Sequence, residues 1–460
     1  MNKLGNVCIL GAGKTGIALG RYTTSLLGRG VDSVCVYTGK NPCDDTTAKT
    51  LRSMGASVVE SDKVEGNYDI CIPSPGISEF SDFFLSAKAC SKEIVSEPEF
   101  AYRQSPDRWI AITGTNGKTT TTTLTNELLN FSGISSYAVG NIGNNCIDEV
   151  ETRKDNSWFV AELSSYQLAV TSQFHPRVAC LLNITPDHIA WHKNLDNYAK
   201  AKMKAFSNLD KDDLAVVSYD SDVCIKFIDE LKSRGLRVVV VDTHTDHAGN
   251  AAFVSDDRLI VRIDGVEHKL CLTSELNVFG DHNLENVLAA ASMALFVGCS
   301  DEDVISCLKA FKALEHRIEP VGTINDVLYV NDSKATNTDA VLKALTSFKP
   351  GSIVLLCGGY DKGTDLSEFS QLAAKCCKAC VCFGPAANRF EEALRSASDS
   401  LEMYKEDKLK DAFMRASRIA SANDVVLLSP ACASFDEFSG YEERGRVFKS
   451  YVHELGNMGK

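Results

Sequence analysis

The chain has 460 residues, room for about three domains of ~150 residues each. Hydrophobic residues make up 44% and charged residues 24%, the balance of an ordinary globular protein with sizeable cores. The net charge of −13 argues against nucleic acid as the main partner, because phosphate backbones need a basic footprint. A few local lysines and arginines still suffice for small anions.

The seventeen cysteines are scattered and odd in number. The start, MNKLGNVCILGAGKTG, lacks the pattern of a signal peptide, so free thiols and a cytoplasmic location are expected. The run CCKACVC at 376–382 holds one C-x-x-C without a second pair. It reads as small buried hydrophobes in a helix-to-strand passage. The longest apolar stretch, near residues 288–297, falls far short of the ~20 residues of a membrane span, so no membrane partner is expected.

In chain order, strand, glycine turn and helix alternate throughout, the pattern of a doubly wound α/β protein. Short apolar strands are predicted at 6–10, 34–37 and 68–72, and a domain boundary at Glu97-Pro98. A second unit opens with a strand at 109–113 and continues with strands at 158–163, 178–183, 214–218 and 237–241. Residues 250–275 alternate like a hairpin or small meander, and a helix follows at 283–297. After a boundary near Ala313-Leu314, strands are predicted at 327–330, 352–357, 379–383 and 424–429. The expected domains are 1–98, 99–313 and 314–460.

The strand at 109–113 runs into ITGTNGKTTTTT. The usual phosphate loop is G-x-x-x-x-G-K-[ST], and its first glycine would fall at Ile112. The shorter G-T-N-G-K-T keeps the working parts. Gly114 and Gly117 let backbone amides turn toward an anion, and the helix N-terminus attracts phosphate. Lys118 can reach the β/γ-phosphates and Thr119 can ligate Mg²⁺. The alternative is a tight turn with an exposed lysine.

GAGKTG at 11–16 matches the dinucleotide-binding glycine pattern better, but that fingerprint also needs an acid at the end of the next strand. There the chain reads Tyr37-Thr38-Gly39. The turn is therefore expected to hold a phosphate group without NAD. Glu162 ends an apolar strand, where a Mg²⁺ ligand belongs. In NITPDHIAWH, His188 and His192 lie one helical turn apart without the glutamate of a zinc hydrolase between them. Lys202 lies on an amphipathic stretch at 195–206, which by itself reads as a solvated helix face.

The segments ITGTNGKT, AELSSYQL, NITPDHIAWH, GDHNLENVLAA, EHRIE, NDSKATN, GGYDKGTDL and SPACASFDEF…YEERG occur in this order over nearly the whole chain. Together they resemble the ATP-dependent Mur ligases of peptidoglycan synthesis. NDSKATN and the motif at 429–445 are most similar to the D-glutamate-adding branch. In that family the short loop also lacks the first glycine, and the N-terminal domain holds UDP. Close relatives can carry an acid and an arginine where Tyr37-Thr38-Gly39 stands.

The resemblance implies a Rossmann-like UDP-binding domain, a central P-loop ATPase α/β domain and a Rossmann-like C-terminal domain. It implies ATP-dependent joining of UDP-N-acetylmuramoyl-L-alanine to D-glutamate through an acyl phosphate. Gly114, Asn116, Gly117, Lys118, Thr119, Thr120, Asn283, Asn286, Arg317 and Asp332 would bind ATP. Thr119, Glu162, His188 and Lys202 would hold Mg²⁺ at two sites, Lys202 after carbamylation by CO₂. Lys118, His188, Lys202 and Lys334 would be catalytic. Gly13, Lys14, Thr15, Thr38, Gly76, Asn141 and Gln167 would hold the UDP substrate. Thr336, Lys362, Ser434 and Tyr441 would hold D-glutamate. The expected form is a monomer whose third domain moves to close the site.

Overall fold

The computed structural model describes residues 3–40, 43–278, 280–312, 314–361 and 363–458. The chain divides into two compact units, residues 1–276 with 285–309, and residues 277–284 with 310–460.

Among the described residues, the first unit carries two sheets. The smaller is parallel, with strand order Ser57–Val59, Val31–Tyr37, Gly5–Leu10, Tyr68–Pro73, Ser91–Ile94. The order reverses beside Gly5–Leu10, and its last residue, Leu10, is level with Tyr37 and Pro73. Gly11, Thr38 and Ser74 therefore emerge side by side above the sheet, at the switch point where α/β proteins bind ligands.

The larger sheet runs Val266–Leu272, Arg258–Ile263, Ala251–Ser255, Arg237–Val241, Leu214–Ser218, Val178–Leu181, Trp109–Thr113, Trp158–Glu162, Ser136–Gly140. The three strands from 251 to 272 form the expected meander. The parallel strands are continuous apolar runs, as burial on both faces requires; all five residues of Trp109–Thr113 are buried. Here too the order reverses, beside Trp109–Thr113. Ile112 is in register with Glu162, and Thr113 with Leu181. Gly114, Glu162 and Asn183 are thereby brought to one sheet edge. One apolar core cluster runs through both sheets, from Val7 to Val240.

The second unit is built on the order Glu319–Ile324, Val327–Asn331, Val425–Leu428, Ile353–Gly358, Cys377–Phe383, Glu402–Glu406, with a core on each face. Asn331 is level with Leu428, so the segments NDSKATN and SPACASF leave the sheet together. Cys376 ends a helix and Cys377 opens the next strand, both buried, as the sequence implied. Among the described residues, no helix is long and apolar enough to cross a membrane.

Candidate active site

Helix Lys118–Phe131 starts directly after the loop, with Gly117 as its N-cap at φ 84°. A Cβ on Gly117 would lie 2.3 Å from Asn286 Oδ1, so glycine is required on both conformational and steric grounds. The loop is held by Asn183, whose Oδ1 accepts from Asn116 N at 2.8 Å and whose Nδ2 donates to Asn116 O at 3.2 Å. Thr115 Oγ1 lies 3.0 Å from the Tyr198 hydroxyl. Asn286 is buried and accepts from Thr121 Oγ1 at 3.2 Å. Thr119 is the second residue of the helix, and Thr120 behind it is buried.

Two lysines meet at this loop. Lys118 Nζ donates to Gly114 O at 2.9 Å and to Thr115 O at 2.8 Å. Lys202 Nζ donates to the same Gly114 O at 2.7 Å and lies 4.6 Å from the centre of the Tyr198 ring. The expectation of a solvated face for 195–206 is overturned: Lys202 is 1% exposed. Helix Leu195–Met203 turns Tyr198, Ala199, Ala201 and Lys202 inward, where the Tyr198 hydroxyl meets Thr115 Oγ1. Burial, and secondarily the Lys118 charge, hold the Lys202 amine well below the usual lysine range.

Glu162 is 2% exposed. Its Oε1 accepts from Asn141 Nδ2 at 2.8 Å, while its buried Oε2 has no hydrogen-bond partner. An orphaned carboxylate oxygen beside a phosphate loop fits a hard cation. His188 has φ 54° at the head of the short helix Ile189–His192, and its ring centre lies 4.9 Å from that of Tyr166. Desolvation lowers its pKa, with Asp187 opposing and Lys202 and Lys118 adding to the shift. His192 is instead turned into the core, with Nε2 2.9 Å from Ser165 Oγ.

On the smaller sheet, Gly13 and Thr38 line a cleft of about 480 Å³ together with Gly11, Gly39 and Ser74. The hydroxyls of Thr38 and Ser74 are buried and without hydrogen-bond partners. Tyr37 points into the core, its hydroxyl donating to Glu65 O at 2.7 Å. Gly76 is exposed, with open space where a Cβ would stand. Lys14 and Thr15 reach the segment after strand Ser136–Gly140: Lys14 Nζ bonds Gly143 O, and Thr15 Oγ1 donates to Asn145 Oδ1 at 3.3 Å. Gln167 Oε1 is engaged by Ser164 in a capping box, which the S-x-x-Q spacing signals.

In the second unit, Asp332 follows strand Val327–Asn331 and is 5% exposed. It accepts from Ser429 Oγ at 2.7 Å and from Ile318 N at 3.2 Å, and burial pushes its pKa up to about 7. Arg317 adds positive charge nearby. Lys334 Nζ lies 3.8 Å from the centre of the Tyr441 ring, Thr336 N donates to Lys334 O at 2.8 Å, and Ser434 is buried. Asn283 also belongs to this unit, and its N donates to Gly280 O at 3.0 Å. Lys362 lies outside the described residues.

Arg444 was not singled out by its sequence. It is fully buried, and donates to Ser333 O, Ser333 Oγ, Cys432 O and Ala433 O at 2.9 to 3.2 Å. It thereby clamps the segments that carry Lys334 and Ser434. Its signal is only an arginine beside a glycine: a Cβ on Gly445 would lie 2.2 Å from His316 Nδ1, so the helix must pack closely there.

The state of Asp332 makes a testable prediction. A carboxyl whose folded pKa is raised contributes stability below its unfolded pKa, near ~4, and loses it as pH rises through the folded value. Without nucleotide, wild-type protein should lose stability relative to Asp332→Asn between pH ~4 and about 7, read from denaturation midpoints at each pH. Parallel pH profiles for the two proteins would contradict this assignment.

Residues 112–294 match the family model of the Mur ligase middle domain, and residues 316–432 that of the Mur ligase glutamate ligase domain. The chain is 37% identical over 462 residues to the UDP-N-acetylmuramoylalanine–D-glutamate ligase of Thermoanaerobacter pseudethanolicus, with 98% of each chain covered. It is 38% identical over 455 residues to that of Caldicellulosiruptor saccharolyticus, again with 98% of each covered. Its fold is similar to a pseudomurein peptide ligase type C from Methanothermus fervidus, with TM-score 0.59 and 15% identity over 98% of this chain and 99% of that one. It is also similar to the UDP-N-acetylmuramate-alanine ligase of Thermotoga maritima, with TM-score 0.57 and 19% identity over 98% and 99%. A phosphate loop of the short form, its buried lysine and carboxylate, and full-length similarity thus agree: the chain belongs to the Mur ligase family.

Proposed function

We propose that this protein is an ATP-dependent amide ligase that joins the L-alanyl carboxylate of UDP-N-acetylmuramoyl-L-alanine to the amine of D-glutamate. The observation that carries this reading is the meeting of Lys118 and Lys202 on one loop carbonyl, with the orphaned Glu162 oxygen on the same sheet edge. The names of the full-length relatives supply the substrates.

A carboxylate is a poor acyl donor. In the first step its oxygen attacks the γ-phosphorus of ATP, the bond to ADP breaks, and an acyl phosphate forms. The amine of D-glutamate then attacks the acyl carbon and gives up a proton. A tetrahedral intermediate collapses, and phosphate leaves with the former carboxylate oxygen. The first step brings anions together, so the protein's task is mainly positioning and charge neutralisation. Lys118 and the amides of Gly114 to Thr120 would bind the phosphates. Asn283 and Asn286 would bind the adenine of ATP, Asp332 its ribose and Arg317 its γ-phosphate, and Lys334 would approach the transferring phosphoryl group.

Thr119, Glu162, His188 and a carbamylated Lys202 would hold two Mg²⁺ ions, which when bound neutralise phosphate charge. Carbamylation is supported by the amine itself: CO₂ reacts with a neutral amine, and Lys202 is buried beside a second cation. Gly13, Lys14, Thr15, Thr38, Gly76, Asn141 and Gln167 would serve the UDP substrate. Thr336, Lys362, Ser434 and Tyr441 would serve D-glutamate. We place the domain bounds at 1–98, 99–313 and 314–460, and the enzyme in the cytoplasm as a monomer.

The test is phosphate release with ATP, the UDP-sugar-alanine substrate and a panel of amino acids. D-glutamate should stimulate release far above the others. Preference for another amino acid, or for a different nucleotide-linked acceptor, would overturn the reading.

A further inference from the structure

Glu97 has no role among those assigned above; it stands at the start of helix Glu97–Gln104 and is 2% exposed. Its Oε1 accepts from Ile147 N at 2.7 Å, capping helix Cys146–Val150 from another part of the chain. The N-cap residue of that helix, Asn145, makes no side-chain cap of its own. An asparagine at an N-cap ordinarily spends its side-chain oxygen on the helix amides. Here Asn145 Oδ1 accepts from Thr15 Oγ1 at 3.3 Å, and its Nδ2 donates to Asp148 Oδ2 at 2.8 Å.

The same short segment makes four further bonds. Gly143 O accepts from Lys14 Nζ, and Asp148 pairs with Arg21. At its other end, Asn141 N donates to Glu162 O and Asn141 Nδ2 to Glu162 Oε1, both at 2.8 Å. Gly140 fits only without a side chain, since a Cβ would lie 2.4 Å from Glu162 O. Residues 140–148 therefore bridge the GAGKTG turn and the carboxylate at the phosphate loop.

We infer that Glu97 is a positioning residue: by capping helix Cys146–Val150 from outside, it frees Asn145 to hold Thr15 and fixes 141–148 between the GAGKTG turn and Glu162. Its work for the nucleotide-sugar substrate rests on the function proposed above. Burial raises the Glu97 pKa to about 7, and a carboxyl keeps an acceptor oxygen for Ile147 N whether or not it is protonated. Glu97→Gln keeps an acceptor oxygen, whereas Glu97→Ala removes it.

Hydrogen exchange on the ligand-free enzyme reads this bridge without reference to activity. In Glu97→Ala the amides of Cys146 and Ile147 should exchange about tenfold faster, the loss expected for a helix cap, and Glu97→Gln should restore protection. In steady-state assays Glu97→Ala should raise KM for the UDP-sugar-alanine substrate about tenfold, with KM for ATP little changed. Asn145→Ala, which leaves the Glu97 bond in place, should give the same KM change with Ile147 still protected. It also carries the test if Glu97→Ala does not fold. Unchanged exchange in Glu97→Ala, or equal KM changes for both substrates, would overturn the inference. If wild-type enzyme makes no amide product, the functional reading falls while the exchange data still decide the role of Glu97.

Discussion

Lys118→Ala should lower kcat/KM for ATP by about 10³-fold or more, roughly 4 kcal/mol of transition-state stabilisation. The folded state should be nearly unaffected. Lys118 Nζ donates to the loop carbonyls of Gly114 and Thr115 in its own turn, at 2.9 and 2.8 Å. Those bonds hold the ammonium in the loop, ready to exchange carbonyls for phosphate oxygens. Turnover in single-cycle experiments, alongside a thermal melt, separates the two effects. A near-normal rate would refute the assignment of Lys118. A large fall in melting temperature would make it a structural residue.

Lys202 should show the opposite relation between stability and activity. Its amine is buried, donates to Gly114 O, and shares that oxygen with Lys118. A lysine amine buried beside a second cation is costly even where burial lowers its pKa, and replacing it with an apolar side chain of similar volume is often neutral or stabilising. Lys202→Met should therefore melt at or above the wild-type temperature while losing activity by about 10³-fold or more. Lys202→Arg keeps the positive charge but cannot form a carbamate, and should be as inactive as Lys202→Met. Wild-type activity should rise on adding bicarbonate to CO₂-depleted enzyme, and gently prepared protein should carry the mass of one added CO₂. An active Lys202→Arg, or identical rate and mass with and without bicarbonate, would exclude the modification.

The sequence was most legible where one residue type has one physical use. Continuous apolar runs marked the parallel strands, and G-T-N-G-K-T marked the loop even without its first glycine. Glu162 was legible because a carboxylate at the end of such a strand has little structural reason to be there. Strands at 57–59, 91–94, 136–140, 319–324 and 402–406 were not read. All five lie at sheet edges, and they are short or carry polar residues, as in SKEI and EMYKE, so their pairing comes from the neighbouring strand and not from their own pattern.

The burial of Lys202 was hidden for a different reason. Its helix also carries Asp196 and Lys200, which form an exposed ion pair, and the pattern alone reads as solvated. Tertiary contacts around Thr115 and Tyr198 decide which lysine is turned inward. Arg444 and Glu97 were likewise invisible. Both act on backbone groups far away in sequence, and backbone partners leave no mark on residue spacing.

The most direct measurement follows an oxygen atom. Enzyme is given UDP-N-acetylmuramoyl-L-alanine labelled with ¹⁸O in its free carboxylate, together with ATP and D-glutamate, and both products are analysed by mass spectrometry. Ligation through an acyl phosphate predicts a new amide to D-glutamate and one ¹⁸O atom in the released phosphate. Unlabelled phosphate, or phosphate release without the D-glutamyl product, would contradict it.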